Sequence, residues 1–252
     1  MRTFKELMLC ATNEDAIWPS IEYLFHTHYV DSSVTTQLIP RIIHQIWLGS
    51  EFPTKLHRLR NTWIAKHPNW QYHLWTDRDV ASFGLTNKKM FDSAQNLGAK
   101  SDIFRYEILY RYGGLYIDTD FECFKPLDDM LRLEFFTGCG TSEAIWFNGL
   151  FACRPNHPIL EYLILRLAYN NSSNWDEIMR MTGPGFFTQA VNAYIHTHPD
   201  TPLVVFPSAF FYPVKNDIRF QIREDTPASR EIVKQYLHPE SHCAHLWYCS
   251  WQ

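Results

Sequence analysis

No apolar run in this sequence approaches the roughly 20 residues that a membrane-spanning helix needs. The longest, Pro202 to Val214, is interrupted by three prolines, and the N-terminal stretch from Leu7 to Ala11 is too short for a signal-peptide core. The chain reads as untargeted and free of a transmembrane segment, with the cytoplasm of a bacterial or viral system as the expected setting. No C-x-x-C pair occurs among its cysteines, at 10, 123, 139, 153, 243 and 249, and a chain of 252 residues has no need of a disulfide framework. A reducing compartment follows. There is no basic excess either: 23 Lys and Arg against 27 Asp and Glu leave a net charge of −4, which gives no electrostatic ground for a nucleic-acid partner. Internal repeats and low-complexity tracts are also absent. With 46% hydrophobic and 20% charged residues, the composition excludes disorder over most of the length.

Aromatic residues are plentiful at 16% of the chain, which suits a cleft where rings stack on a base or a sugar, and equally a bulky core. Residues 1–38 show loosely helical apolar spacing and no chemistry, so they are expected to form a helical packing extension. From Pro40 the character changes. Arg41 to Trp47 reads as a buried strand closed by Leu48-Gly49-Ser50, Leu56, Leu59, Trp63 and Ile64 mark a helix, and Trp70 to Trp75 is a second strand. Strand, helix, strand implies a parallel sheet with crossover helices, whose ligands bind beyond the carboxyl ends of the strands. Ser101 is placed to cap a helix that ends at Gly113-Gly114, and Leu115-Tyr116-Ile117 then runs into Asp118-Thr119-Asp120. Farther on, Ala144 to Cys153 and His157 to Tyr169 look like further elements and Thr182 to Gly185 like a Gly/Pro turn. Asn170 to Asn174 and Arg223 to Ser229 read as surface loops.

Asp118 and Asp120 leave a regular strand on opposite faces, so they can share one cation only where the strand is ending. A hard divalent ion such as Mn²⁺ or Mg²⁺ takes oxygen ligands and keeps positions for substrate phosphates, so two carboxylates at a strand end suit a nucleoside diphosphate. A D-x-D is weak evidence alone, but Asp102 and Arg105 lie three apart on the preceding, otherwise apolar helix and face the same way. In the closing segment, His238, His242, Cys243, His245 and Cys249 offer a rival set of zinc ligands, although their spacing matches no common zinc module.

The block from Ala99 to Asp120, A-K-S-D-x-x-R-Y-x-x-L-Y-x-Y-G-G-x-Y-x-D-x-D, resembles the sugar-binding segment of the D-x-D glycosyltransferases of family 32. Similarity continues through Ile39 to Trp47, Trp75 with Asp77, Phe147-Asn148-Gly149, Thr182-Gly183-Pro184, Tyr212-Pro213 and His245-x-Trp247-x-x-Ser250-Trp251, where Cys249 stands in place of the usual glycine. The resemblance covers residues 39–251. It implies an α/β GT-A fold, a Rossmann-like nucleotide-sugar-binding domain over 39–252 with a mainly parallel central sheet and added helices. It further implies transfer of a sugar from a UDP- or GDP-linked donor to a glycan or other hydroxyl acceptor, with retention and with Mn²⁺ or Mg²⁺. By position, Asp118 and Asp120, with His245, would hold the ion. Asp102 and Arg105 would hold the donor sugar, and Asn148 would lie at the reacting sugar. His44, Gln45, Trp47 and Trp75 would line the nucleotide pocket, and Ser250 and Trp251 would close over the diphosphate. A nucleotide-sugar hydrolase or phosphohydrolase using the same aspartates, and a non-catalytic sugar-binding module, remain as alternatives.

Overall fold

The computed structural model describes residues 2–9, 17–141, 145–167 and 174–248. Its strands are β1 (Ile42–Ile46), β2 (Gln71–Trp75), β3 (Gly114–Ile117), β4 (Phe121–Cys123), β5 (Phe135–Cys139), β6 (Trp146–Cys153), β7 (Leu203–Phe206) and β8 (Cys243–His245). The helices are α1 (Phe4–Leu7), α2 (Ile17–Phe25), α3 (Thr54–Lys66), α4 (Asp77–Phe83), α5 (Lys88–Ser93), α6 (Leu97–Tyr112), α7 (Pro158–Arg166), α8 (Trp175–Met181), α9 (Pro184–Thr197), α10 (Ser208–Phe211) and α11 (Pro227–Tyr236). Six strands form the central sheet in the order β2-β1-β3-β6-β5-β7. Only β6 runs against its neighbours, so the sheet is mainly parallel, as expected of the crossover pattern. No helix among the described residues is long and apolar enough to cross a membrane.

The element that positions the site is α6 followed at once by β3. Asn96, rather than Ser101, caps α6: its side-chain oxygen accepts from the amide of Gly98 at 2.7 Å. Ser101 lies one turn inside, where its hydroxyl is available for other work. Gly113 and Gly114 end the helix at φ of 61° and 94°. A Cβ on Gly114 would stand 2.7 Å from the carbonyl oxygen of Ile42, so only glycine allows β3 to start directly against β1.

Other expectations are corrected in the same way. Thr182 to Gly185 is no isolated turn but the start of α9, with Gly183 in the capping position and Pro184 as its first residue. The polar stretch at 223–229 includes the start of α11, whose first turn is closed by a reciprocal Thr226–Ser229 cap. The closing segment is built into the fold: β8 pairs antiparallel with β4, matching Phe121 to His245 and Cys123 to Cys243.

Most of the aromatic residues serve the core, where Trp63, Trp146, Tyr106, Phe104, Phe121 and Phe151 are fully buried. The N-terminal segment joins that core. Trp18 meets Trp146 edge-on at 5.5 Å, and Phe25 packs on Phe206 and Phe210 at 5.9 Å each.

Candidate functional site

Because β3 stops at Ile117, the chain turns through Asp118-Thr119-Asp120 and brings both carboxylates to one side. The turn is pinned by three backbone contacts: Asp118 N–H to Gly149 O at 2.7 Å, Phe121 N–H to Asp118 O at 3.4 Å and Leu246 N–H to Asp120 O at 3.0 Å. The last of these ties the closing segment to the D-x-D itself. One Asp120 oxygen lies 3.0 Å from His245 Nε2, and the other accepts the Tyr248 amide at 2.8 Å. His245 is held flat on Phe121, 4.5 Å away and 6° from parallel. Ligand atoms of Asp118, Asp120 and His245 all lie within 4.8 Å of one another, the one such cluster among the described residues.

A second group of charges stands beside this one. Successive positions on α6 put Ser101, Asp102 and Arg105 on a shared face. The Arg105 guanidinium lies 3.3 Å from both Asp102 and Asp118, donates to Asn148 O at 2.7 Å and to Ser101 Oγ at 3.1 Å, and covers the Tyr116 ring at 4.4 Å. Arg105 and Asp102 are almost fully buried, whereas the Asp118 side chain keeps 29% exposure. Such a pair is no surface ion pair: removing the cation would leave the buried Asp102 carboxylate without its charge partner.

Environment separates the three carboxyl groups. Burial raises the pKa of Asp102 to about 6, with the charge of Asp118 adding and Arg105 opposing. Burial and the nearby Asp120 charge also raise Asp118, against the pull of Arg105. For Asp120 burial acts upward too, yet the His245 contact and the Tyr248 amide outweigh it and leave the pKa below its usual value.

These residues line a cavity of about 520 Å³. Its wall also includes Trp47 and Ser50 after β1, Phe147 to Gly149 on β6, Ile178 and Met179 on α8, Asn216, Arg219 and Trp247. Trp47 is half-buried at the cavity wall, with its indole N–H on Ser50 Oγ at 3.0 Å and Phe52 perpendicular to it at 5.7 Å. Trp247 holds φ of 57°, a strained conformation for a bulky residue, and its indole N–H is anchored on Val214 O at 2.9 Å.

Of the residues named from sequence, Asp102, Arg105, Asp118, Asp120, Asn148, Trp47 and His245 meet at this cavity. His44, Gln45 and Trp75 do not line it. His44 and Gln45 are buried on β1: His44 donates from Nε2 to Gly113 O at 2.9 Å and accepts the Trp75 indole N–H at 3.1 Å. Burial accordingly lowers the His44 pKa to about 4. Gln45 donates to Asp118 O at 3.3 Å and accepts from Tyr72 at 2.5 Å, which makes it a brace for the D-x-D turn. Ser250 and Trp251 lie outside the described residues, as does Cys249 of the zinc alternative. His238 is engaged by Arg2, and His242 by the Pro126 carbonyl, away from the Asp118–Asp120–His245 cluster. Sequence reading missed Ser101, Tyr116, Asn216 and Arg219. Ser101 and Tyr116 both carried a signal, Ser101 four residues before Arg105 on the same helix and Tyr116 two residues before Asp118, whose carboxylate its hydroxyl reaches at 2.8 Å.

A family model described as the glycosyltransferase sugar-binding region containing a DXD motif matches residues 53–136. Inositol phosphoceramide mannosyltransferase 1 of Schizosaccharomyces pombe is 33% identical over 183 residues, 69% of this chain and 57% of the relative. An uncharacterized glycosyltransferase of Acanthamoeba polyphaga mimivirus is 29% identical over 70% of this chain and 74% of its own length. The chain therefore spans little more than half of the yeast relative. Among solved structures, the PaToxG glycosyltransferase superposes with a TM-score of 0.52 at 18% identity, covering 72% of this chain and 77% of that one. The ligand-free glycosyltransferase domain of the YGT toxin gives 0.51 at 11% identity, covering 80% and 89%. At these identities the structural likeness speaks for a shared fold.

Proposed function

The chain belongs to the glycosyltransferases with a DXD-containing sugar-binding region and has their GT-A fold, and from that premise we propose that it moves a sugar from a nucleotide-sugar donor to a hydroxyl acceptor, with a divalent cation and with retention of configuration. One observation carries this reading: Asp118, Asp120 and His245 converge beside the buried Asp102–Arg105 pair in one cavity.

Two carboxylates and an imidazole form a donor set that suits Mn²⁺ or Mg²⁺, and with Nδ1 of His245 buried and unpartnered, the ring has no side-chain hydrogen-bond partner among the described residues besides Asp120. When bound, such an ion stabilises the negative charge that gathers on the departing diphosphate. Asp118 and Asp120 would hold it, with His245 closing the set. Trp47 offers the base a ring to stack on, and Asp102 and Arg105 take donor-sugar hydroxyls, since each Asp102 oxygen keeps acceptor capacity beyond its present bonds. In the transfer step the bond from the anomeric carbon to the diphosphate oxygen breaks and the bond to the acceptor oxygen forms on the same face. The acceptor's proton goes to the leaving diphosphate, so no protein base is required. Arg105 also keeps Asp102 and Asp118 from repelling one another while charge shifts past them.

The yeast relative is named as a mannosyltransferase acting on inositol phosphoceramide, so GDP-mannose and a phosphoinositol-bearing acceptor stand first among the pairs to try, beside UDP-hexoses and simple glycans. Nucleoside diphosphate release is followed with Mn²⁺, with and without acceptor, and the anomer of the product is read by NMR. Acceptor-dependent release with a retained anomer is expected. Equal release without acceptor would make the protein a hydrolase, and donor binding without turnover would make it a sugar-binding module.

A further inference from the structure

Asp102 and Asn148 face the cavity, and their orientation is fixed by two residues that do not. Thr182 Oγ1 donates to Asp102 Oδ2 at 3.0 Å, and Asn148 Nδ2 donates to Asp102 Oδ1 at 2.8 Å. Asn148 Nδ2 also reaches the Tyr106 hydroxyl at 2.9 Å, and that hydroxyl donates to the Thr182 carbonyl at 2.7 Å. The four side chains close a ring across α6, β6 and the junction of α8 with α9. None is more than 6% exposed.

Donor and acceptor counting fixes each direction. An ionised carboxylate only accepts, so both Asn148 and Thr182 must give it a proton. Tyr106 has one proton and spends it on a carbonyl, so its oxygen has to accept the second amide proton of Asn148. Both amide protons of Asn148 are then committed. Among the described residues no group donates to its Oδ1, which leaves Asn148 to meet a ligand as an acceptor. Asp102 likewise has its carboxylate plane set by Asn148 on one oxygen and Thr182 on the other. Gly183 allows this close docking, since a Cβ there would stand 3.1 Å from the Cα of Met179 and 3.4 Å from Asp102 itself.

We infer that Thr182 and Tyr106 are positioning residues for donor-sugar recognition: they hold Asp102 and Asn148 as a pair of acceptors turned toward sugar hydroxyls. This rests on the glycosyl-transfer reading above. Loss of the Thr182 hydroxyl frees one Asp102 oxygen and unlinks the α8–α9 junction, while the nucleotide contacts at Trp47 and the D-x-D stay untouched. Recognition of the sugar should suffer and recognition of the bare nucleotide should not.

The test is calorimetric titration, with Mn²⁺, of UDP against UDP-glucose and of GDP against GDP-mannose. It uses the full chain and its Thr182→Val, Thr182→Ser, Tyr106→Phe and Asp102→Asn variants. Thr182→Val is expected to bind the nucleotide sugar about tenfold more weakly while binding the bare diphosphate within about twofold of wild type. Thr182→Ser should restore the sugar affinity, because it returns the hydroxyl, and Tyr106→Phe should follow Thr182→Val. If Thr182→Val does not fold, Tyr106→Phe carries the same expectation. Unchanged sugar affinity in Thr182→Val, or in Tyr106→Phe where the former does not fold, overturns the inference, and so does equal loss for both ligand types. Should Asp102→Asn also leave sugar affinity unchanged, the parent reading fails with it; if Asp102→Asn loses that affinity and Thr182→Val keeps it, only the positioning role is lost.

Discussion

Asp118 owes its place to a neighbour with no side chain. A Cβ built on Gly149 would stand 2.7 Å from Asp118 Oδ2, an approach that real side chains do not make. The clashing atom is the far end of a rotatable carboxyl group, so Gly149→Ala should leave the fold standing while turning one cation ligand aside. The expected result is a melting temperature within a few degrees of wild type and Mn²⁺ affinity weakened about tenfold, read by titrating Mn²⁺ in the presence of UDP or GDP. Unchanged Mn²⁺ affinity would remove Asp118 from the cation site. The D-x-D and the Asp102–Arg105 spacing were legible from sequence because they rest on short-range geometry. The need for glycine at 149 was not, because it follows from the antiparallel register that sets β6 against β3. His44, Gln45 and Trp75 lie outside the cavity for a related reason. Residues on a strand look like ligand contacts until the groups packed over the sheet face are known: Tyr112 of α6 covers His44, and Phe83 of α4 and Phe104 of α6 cover Trp75.

At the scale of elements, caps and breaks decide where chemistry falls. Ser101 and Asn96 are both good capping residues less than two turns apart, and local preference could not choose between them. The structure gives the cap to Asn96 and leaves Ser101 to bond Arg105. A titratable cap sits on α7, where His157 Nδ1 accepts the Ile159 amide at 3.2 Å and the ring packs against Phe135 and Tyr194. Burial lowers the His157 pKa to about 3, and Arg154 pushes the same way. Below pH 6.5 the unfolded chain takes up a proton that the folded chain refuses, so stability present above that pH is lost as pH falls toward 3. The loss reaches about 2 kcal/mol by pH 5. His44 acts in the same sense. Asp102 opposes both, since its raised pKa favours the folded state at low pH and loses that contribution as pH rises through about 6. His157→Asn keeps a capping oxygen and removes the titration, so its melting temperature should fall less than that of wild type between pH 7 and pH 5. Parallel declines in the two proteins would show that the cap histidine does not titrate with folding.

Taken whole, the molecule has one main core, and the described residues of 1–38 contribute to it while none of them lines the cavity. Their aromatic and aliphatic side chains, among them Phe4, Leu7, Trp18, Ile21, Leu24 and Phe25, are buried to 7% exposure or less. At about 1.5–3 kcal/mol for each large side chain, removing these six costs on the order of 9–18 kcal/mol, comparable to the roughly 5–15 kcal/mol by which a domain is ordinarily stable. Residues 39–252 alone should be insoluble or lack a cooperative melt; a soluble fragment melting within a few degrees of the full chain would show the segment to be an appendage. The fold class was readable from the strand–helix–strand order, whereas the attachment of the closing segment through β4 and β8 was not, because a three-residue strand pair carries almost no pattern of its own. In the proposed reaction Asp118, Asp120 and His245 hold a cation that in turn holds a donor diphosphate. Titrating UDP and GDP into the protein with Mn²⁺ and then with a chelator, alongside Asp120→Asn, decides whether they do. At least one of the two nucleotides should bind with Mn²⁺ and lose about tenfold or more in affinity without it, and Asp120→Asn should abolish that difference. Nucleotide affinity that is the same with Mn²⁺ and with chelator, or a Mn²⁺ effect that survives in Asp120→Asn, would show that they do not.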